Sequence, residues 1–540
     1  MDQHFGNPRD TYERAYSTFQ WNIPEFYNIG MDVCDRHSAN PSRVAMVYVN
    51  DKKNETREIV FEELRQLSNR LANILCAIGL NRGDRVAVLL PPSVEAAIAH
   101  LATWKGGFVS VPLASVIGEE EIHYRLHASL SRVLVTDSTG WAKLGRLAGE
   151  LPALRATFIT DRCAAERQTE LYTALSCSSG KFEPVRTQSE DPAVLVFTSG
   201  TEGTPKGVLH AHRSLLGCLP VFELAQDSRP SPGQVFWTPA DWGWIGGLFP
   251  VLGAWHYGLS VLTWNTNCFD PQRALTLMAK HLVQSAFIPP TALKLMQLLA
   301  PSDMRIPMKC LLSGGERLDE GSLDWAEAIF GTPIQEVYGQ TECNGVVACN
   351  RRLFQIRAGS MGRAIPGHDV RIVDQQGTEM PRGRSGILAV RQPDPGTFLG
   401  YWKDPIATAR KFVGSFLVTG DIASQDEDGY FWYQGREDDI ITTSGYRIDP
   451  VEIEACIMRH GSVAMVAVVG IPDPICTQTI KAWIVLNAGW SRSEQLARRL
   501  QHYVRAHLGA HQCPRQISFT DNLPLTSTGK VMRSELRNRG

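Results

Sequence analysis

Nothing in this sequence of 540 residues is suited to crossing a membrane. The first residues, MDQHFGNPRDTYERAYSTF, carry charges throughout and lack the apolar centre of a secretion signal. The one long uncharged window, Trp242 to Phe269, contains five glycines, Pro250 and His256. That mixture makes a poor membrane helix and a good buried core. The 12 cysteines include no CxxC pair, so reduced thiols in a cytoplasmic protein are expected rather than a disulfide framework or a zinc site. Charge of one sign is also missing: 54 basic against 56 acidic residues leave −2, and no global field recruits nucleic acid or an anionic membrane. A Walker loop is absent, because no GK[ST] follows a glycine at the required spacing.

What is present is an ordinary globular composition, 43% hydrophobic and 20% charged, which excludes a disordered, collagen-like or coiled-coil chain. The length exceeds one hydrophobic core and implies roughly two to four domains. Strand-like RVAVLL (85–90), helix-like VEAAIAHLATWK (94–105), FVSVPL (108–113), EEEIHYRLHASL (119–130) and RVLVTD (132–137) alternate. Such βα alternation predicts an α/β fold with a parallel sheet covered on both faces. A second series is expected from AVLVF (193–197) to about residue 340. Residues 365–433 read as a small antiparallel or barrel unit, and a small α/β domain follows GREDD (435–439). Its helix places Leu496, Leu500, Val504 and Leu508 on one face and should stop at Gly509.

The most informative segment is FTSGTEGTPKGV (197–208), between an apolar strand and a stretch, VLHAHRSLLGCL, that reads as helical. Its three glycines let backbone amides turn inward, and four hydroxyls and Lys206 add donors, a combination suited to a polyphosphate. A polar surface loop would look much the same.

Four further segments follow in order: YGQTE (338–342), TGD (419–421), GREDDIITTSGYRIDPVEIE (435–454) and PLTSTGKVMRSELR (524–537). Together with TSGTEGTPKG they resemble the signatures of the adenylate-forming superfamily, from about residue 25 to the end. In style the chain is closest to short- and medium-chain acyl-CoA synthetases. The resemblance implies two doubly wound sheet subdomains plus a small β unit in a large domain, 1–434, then a small mobile domain, 435–540. It also implies a reaction: a carboxylate attacks the α-phosphate of ATP, pyrophosphate leaves, and a thiol, CoA, attacks the acyl-AMP. Negative charge builds on oxygen in both steps, so fixed cationic and amide donors should dominate.

The same resemblance assigns residues. Thr198, Ser199, Gly200, Thr201, Glu202, Gly203, Thr204, Pro205 and Lys206 would hold the β- and γ-phosphates. Gly315 and Glu316, with Glu336, Val337, Tyr338, Gly339, Gln340 and Thr341, would enclose adenine, Tyr338 stacking on the base. Glu342 is the Mg²⁺ candidate; one carboxylate completed by phosphate oxygens and waters is a usual Mg²⁺ arrangement. Asp421 and Arg436 would meet the ribose, Asp438 would be the hinge, and Ser444 and Gly445 would lie along pantetheine. Lys530, Thr201 and Arg447 are the catalytic candidates. Lys530 would bridge carboxylate and α-phosphate, and it is the only lysine after Lys481. Trp244, in WTPADWGWIGG, and Gly339 would line the acyl pocket. Acetate-specific members carry Trp where this chain has Gly339, so an acid longer than acetate is expected.

Other readings compete. A ligase loading a separate carrier protein is the nearest, although nothing resembling a phosphopantetheine serine motif occurs. AGSMG (358–362) is the only support for a hydrolase, and it has Ala where G-x-S-x-G needs its first Gly. A non-catalytic ATP-binding regulator would have no use for Lys530. His123 and His127 have the spacing of a zinc pair on a helix but no evident third ligand, and His210 and His212 read as helix surface or structural. The expected partners are a small carboxylic acid, ATP and CoA, in a monomer or homodimer.

Overall fold

The computed structural model describes the chain apart from residues 1–10, 52–53, 162–167, 199–204, 226–229, 267–268, 300–303, 317, 319, 438, 440, 444–445, 474–476, 509–511, 526–530 and 540. It divides into two compact units: Met1–Thr198 with Lys206–Val370 and Val390–Phe412, and Ser199–Pro205 with Arg371–Ala389 and Val413–Gly540.

The first unit is built on two large sheets. The eight-stranded one runs Gly400–Tyr401, Lys206–Ala211, Pro192–Thr198, Val109–Leu113, Arg85–Leu89, Val133–Thr136, Ala156–Ile159, Gln168–Glu170. Arg85–Leu89 and Val109–Leu113 are buried along their whole length, as strands covered on both faces must be. The helix Val94–Lys105 between them starts where the Ser93 hydroxyl accepts from the Ala96 N–H at 3.2 Å. The nine-stranded sheet has at its centre Cys310–Gly314, Val283–Phe287, Val235–Trp237 and Ser260–Asn265, all parallel neighbours. The uncharged window becomes the helix Ile245–His256 and the strand Ser260–Asn265, with Trp255 fully enclosed.

Two sequence expectations change here. Pro192–Thr198 does not open the second sheet but joins the first beside Val109–Leu113. The second sheet instead takes in Val44–Asn50 and Glu55–Val60. Residues 206–211 are also not helical: they form a strand antiparallel to Pro192–Thr198, and the helix begins only at Ser214. A six-residue segment, KGVLHA, is too short to show a decisive period, and hairpin pairing settled its form.

Two five-stranded sheets make up most of the second unit. One contains Phe416–Gln425 and Phe431–Arg436, paired antiparallel; the other contains Val463–Asp473 and Thr477–Leu486. The helix Glu494–His507 is capped by the Ser493 hydroxyl at Leu496 and buries Leu496, Leu500 and Val504 against the second of these sheets. Its C-cap is Leu508, and the expected stop at Gly509 lies outside the described residues. The helix Arg533–Asn538 is held by ion pairs: Arg533 reaches both Glu454 carboxylate oxygens at 2.8 and 2.7 Å and Asp439 at 3.5 Å, and Arg537 also binds Asp439. Burial raises the Glu454 pKa, and the Arg533 charge opposes it. Among the described residues no helix is long and apolar enough to cross a membrane.

Leu500→Ala should destabilise the second unit by about 3 kcal/mol, since it opens a cavity in a fully buried position. Urea unfolding checks this, with the exposed Arg498→Ala expected to change stability by less than about 0.5 kcal/mol.

Candidate active site

The two segments expected around adenine come from neighbouring strands. Cys310–Gly314 and Ile334–Gln340 pair in parallel, with Ser313 opposite Glu336 and Gly314 opposite Val337. Continued past the strand end, that register carries Gly315 and Glu316 to the level of Tyr338 and Gly339. Gly315 has φ +90°, and a side chain there would meet only open space. Its glycine therefore serves the turn rather than a crowded contact. Glu316 is held by the Thr291 hydroxyl at 2.9 Å. Tyr338 is half-buried, on the strand that Cys310–Gly314 pairs with.

At the end of the same strand, Glu342 is fixed at two points. Its backbone carbonyl accepts from the Phe398 N–H at 2.9 Å, and its carboxylate accepts from the Tyr401 hydroxyl at 2.6 Å. The Tyr401 ring also faces the Lys206 ammonium, 5.4 Å from its centroid. Lys206 begins the strand Lys206–Ala211 opposite Thr198, whose hydroxyl donates to the Lys206 carbonyl at 3.4 Å. The hairpin thus fixes both ends of the phosphate-loop candidate. The loop itself, Ser199, Gly200, Thr201, Glu202, Gly203 and Thr204, lies outside the described residues. An oriented carboxylate beside a lysine is a donor set that fits Mg²⁺ carried on a polyphosphate.

Trp244 is half-buried at the start of the helix Ile245–His256, with the Arg125 guanidinium 5.4 Å from its ring centroid. Asp241 ties this segment to another loop: it accepts from the Ser115 N–H at 3.0 Å, the Ser115 hydroxyl at 2.8 Å and the Gly243 N–H at 2.7 Å. Burial raises the Asp241 pKa and these donors oppose it.

In the second unit Asp421 and Arg436 stand opposite each other on paired strands, 3.5 Å apart as an ion pair. Asp421 is 4% exposed, and its N–H donates to the Thr419 hydroxyl at 3.1 Å. Arg447 is placed by its backbone opposite Thr442. Asp438, Ser444, Gly445 and Lys530 lie outside the described residues.

Several readings need correction. A Cβ at Gly339 would stand 1.8 Å from the Asn344 carbonyl oxygen and 2.8 Å from Gly345 Cα, so it points into backbone rather than into an open pocket floor. The register shift between Tyr338 and Gly339 brings the strands that close. Of the two readings of His210 and His212, helix surface fails and structural holds: both are buried, and His210 sits on the strand Lys206–Ala211 with its Nδ1 3.3 Å from the Ser214 hydroxyl. Burial lowers His210 to about 4 and His212 to about 3, so both are neutral at physiological pH. Ser360 of AGSMG is buried, its hydroxyl accepting from the Gly362 N–H at 2.9 Å, which suits a turn and not a nucleophile. The His123 and His127 rings stack 6.2 Å apart, with His123 3.9 Å from Glu150. Sequence reasoning passed over Tyr401; GYW after a Gly- and Pro-rich turn was its only signal.

Comparison with known proteins agrees with this geometry. Residues 35–402 match the AMP-binding enzyme family and residues 452–530 the AMP-binding enzyme C-terminal domain. The mitochondrial acyl-coenzyme A synthetase ACSM5 of Mus musculus is 34% identical over 534 residues, covering 96% of this chain and 91% of the relative. The acetyl-coenzyme A synthetase of Bacillus subtilis (strain 168) is 32% identical, over 97% and 94% of the two chains. The crystal structure of Brucella canis acyl-CoA synthetase superposes with a TM-score of 0.76 at 32% identity, over 98% and 99%. The chain belongs to the AMP-binding enzyme family. Within that family it groups with the acyl-CoA synthetases, AMP-forming carboxylate–CoA ligases that use ATP, Mg²⁺ and CoA.

The crowding at Gly339 makes a specific forecast. Gly339→Ala should lower kcat/KM for short and long acids alike, by ~10-fold or more, because about 1.4 kcal/mol of displaced backbone is enough for that loss. A loss that grows with chain length would restore the open-floor reading.

Proposed function

We propose that this chain activates a short- to medium-chain carboxylic acid as acyl-AMP, releasing pyrophosphate, and then transfers the acyl group to CoA. The observation that carries the reading is the strand register that sets Ser313–Gly314 beside Glu336–Val337, so that Gly315–Glu316 follow at the level of Tyr338–Gly339, with Glu342 and Lys206 meeting at Tyr401. Mg²⁺, when bound, neutralises charge on the phosphates. Glu342 would hold it, and Thr198, Lys206 and the loop Ser199–Pro205, Thr201 included, would hold the phosphates. Glu336, Val337, Tyr338, Gly339, Gln340 and Thr341, with Gly315 and Glu316, would take adenine. Asp421 would accept from the ribose hydroxyls, with Arg436 beside it.

Lys530 would stabilise the charge between acid and α-phosphate, and Arg447 would meet the phosphates. Ser444 and Gly445 would receive pantetheine, Trp244 would line the acyl pocket, and Asp438 would be the pivot between the domains 1–434 and 435–540. CoA is preferred over a carrier protein as acceptor because the relatives above are named for coenzyme A. A cytoplasmic location stays part of this proposal; the ACSM5 relative is named as mitochondrial. Gly339 no longer argues for an acid longer than acetate, and the relatives' names include both acyl- and acetyl-coenzyme A synthetases, so the acid panel decides acyl length.

Release of AMP and formation of a thioester with CoA, tested on acids from acetate to dodecanoate and on benzoate, decide the reading; no acid-dependent pyrophosphate release would refute it. Lys530→Ala should reduce pyrophosphate release by ~10²-fold or more while supplied acyl-AMP is still converted to thioester, because a charge at the transferring phosphoryl group supplies several kcal/mol. Equal loss of both half-reactions would remove Lys530 from this role.

A further inference from the structure

We propose that Tyr401 is a positioning residue for the metal-binding carboxylate, a role that rests on the reading of Glu342 as the Mg²⁺ ligand. A surface glutamate samples several rotamers and loses that freedom when it binds an ion. Here the Tyr401 hydroxyl donates to Oε1 at 2.6 Å, a hydrogen bond to a charged acceptor and therefore a strong one. It commits one oxygen and leaves Oε2 as the ligand. The Tyr401 ring meanwhile faces Lys206 at 5.4 Å, within cation–π range. One phenol thus sets the spacing of the carboxylate and the ammonium that would serve the same phosphates.

Tyr401 can do this only if its own backbone is fixed, and it is. The Leu399 and Trp402 N–H groups donate to Leu209 and Gly207 across the sheet, both at 2.7 Å, and the Tyr401 N–H donates to the Thr408 hydroxyl at 2.8 Å. Upstream, one Arg213 nitrogen reaches the carbonyls of Asp394, Pro395 and Thr397 at 3.4, 2.6 and 3.0 Å. Asn344 Nδ2 donates to the Gly396 carbonyl at 2.7 Å, and the Asp394 carboxylate accepts from the Gly396 N–H at 2.8 Å. The Phe398 N–H then closes on the Glu342 carbonyl. Residues 394–402 form a strap with Glu342 at its centre. Groups that orient a metal ligand from behind typically contribute 10- to 100-fold to metal affinity.

The test is Mn²⁺ binding, read by electron paramagnetic resonance on the whole protein with α,β-methylene-ATP. Tyr401→Phe keeps the ring on Phe398 and removes only the donor. It should weaken Mn²⁺ binding by ~10-fold and shift the Mg²⁺ dependence of pyrophosphate release upward by a similar factor, with thioester formation from supplied acyl-AMP unchanged. In a Glu342→Gln background the same change should have no further effect, since the two residues act through one bond. Absence of Mn²⁺ binding in the unmodified protein would overturn the Glu342 reading and this inference together. Normal Mn²⁺ binding that Tyr401→Phe leaves unchanged, or an additive effect in the double variant, would overturn this inference alone.

Discussion

The register between Cys310–Gly314 and Ile334–Gln340 is the constraint on which the site in the first unit depends. A strand's side chains alternate, so a slip of one residue in either strand would turn its buried Leu311 or Ile334 out of the core and shift the residues beyond it. The buried ends of these strands hold the pairing, and the polar ends use it. Glu342 inherits its place from this pairing, and the strap at 394–402 converts that place into an orientation.

The second unit uses the same device in antiparallel form. Asp421 and Arg436 meet because they are opposite one another on Phe416–Gln425 and Phe431–Arg436. Farther along, Arg533, Arg537, Glu454 and Asp439 form a partly buried charge cluster that removal of any one member would leave unbalanced. It ties the segment after GRED to the helix that follows the C-terminal lysine motif, so two stretches distant in sequence share one rigid base.

Much of the chain was legible in advance because its signals are local. The βα alternation from Arg85 to Thr136 and the capped helix Glu494–His507 follow from short-range pattern. What was missed is non-local. Whether Pro192–Thr198 belongs to one sheet or the other depends on partners far along the chain, and its uniform burial fits both. The crowding at Gly339 depends on a bulge whose cause lies across the strand pair, while Tyr401 gains its meaning only when the sheet brings it to Glu342. A motif names the residues that touch ligands; it is silent about those that hold them still.

The placement of Val44–Asn50 has a further consequence, for synthesis of the chain. Met46 pairs with Val261 and Asn50 with Asn265, so this strand has its sheet neighbour only after more than two hundred further residues have left the ribosome. Until then the hairpin it makes with Glu55–Val60 presents a bare apolar edge, able to pair with any exposed strand it meets. Contacts this distant in sequence also cost loop entropy before they return any stabilisation. The nascent chain thus carries its N-terminal strand as a debt, open to chaperones and to aggregation alike, until residue 265 arrives to close it.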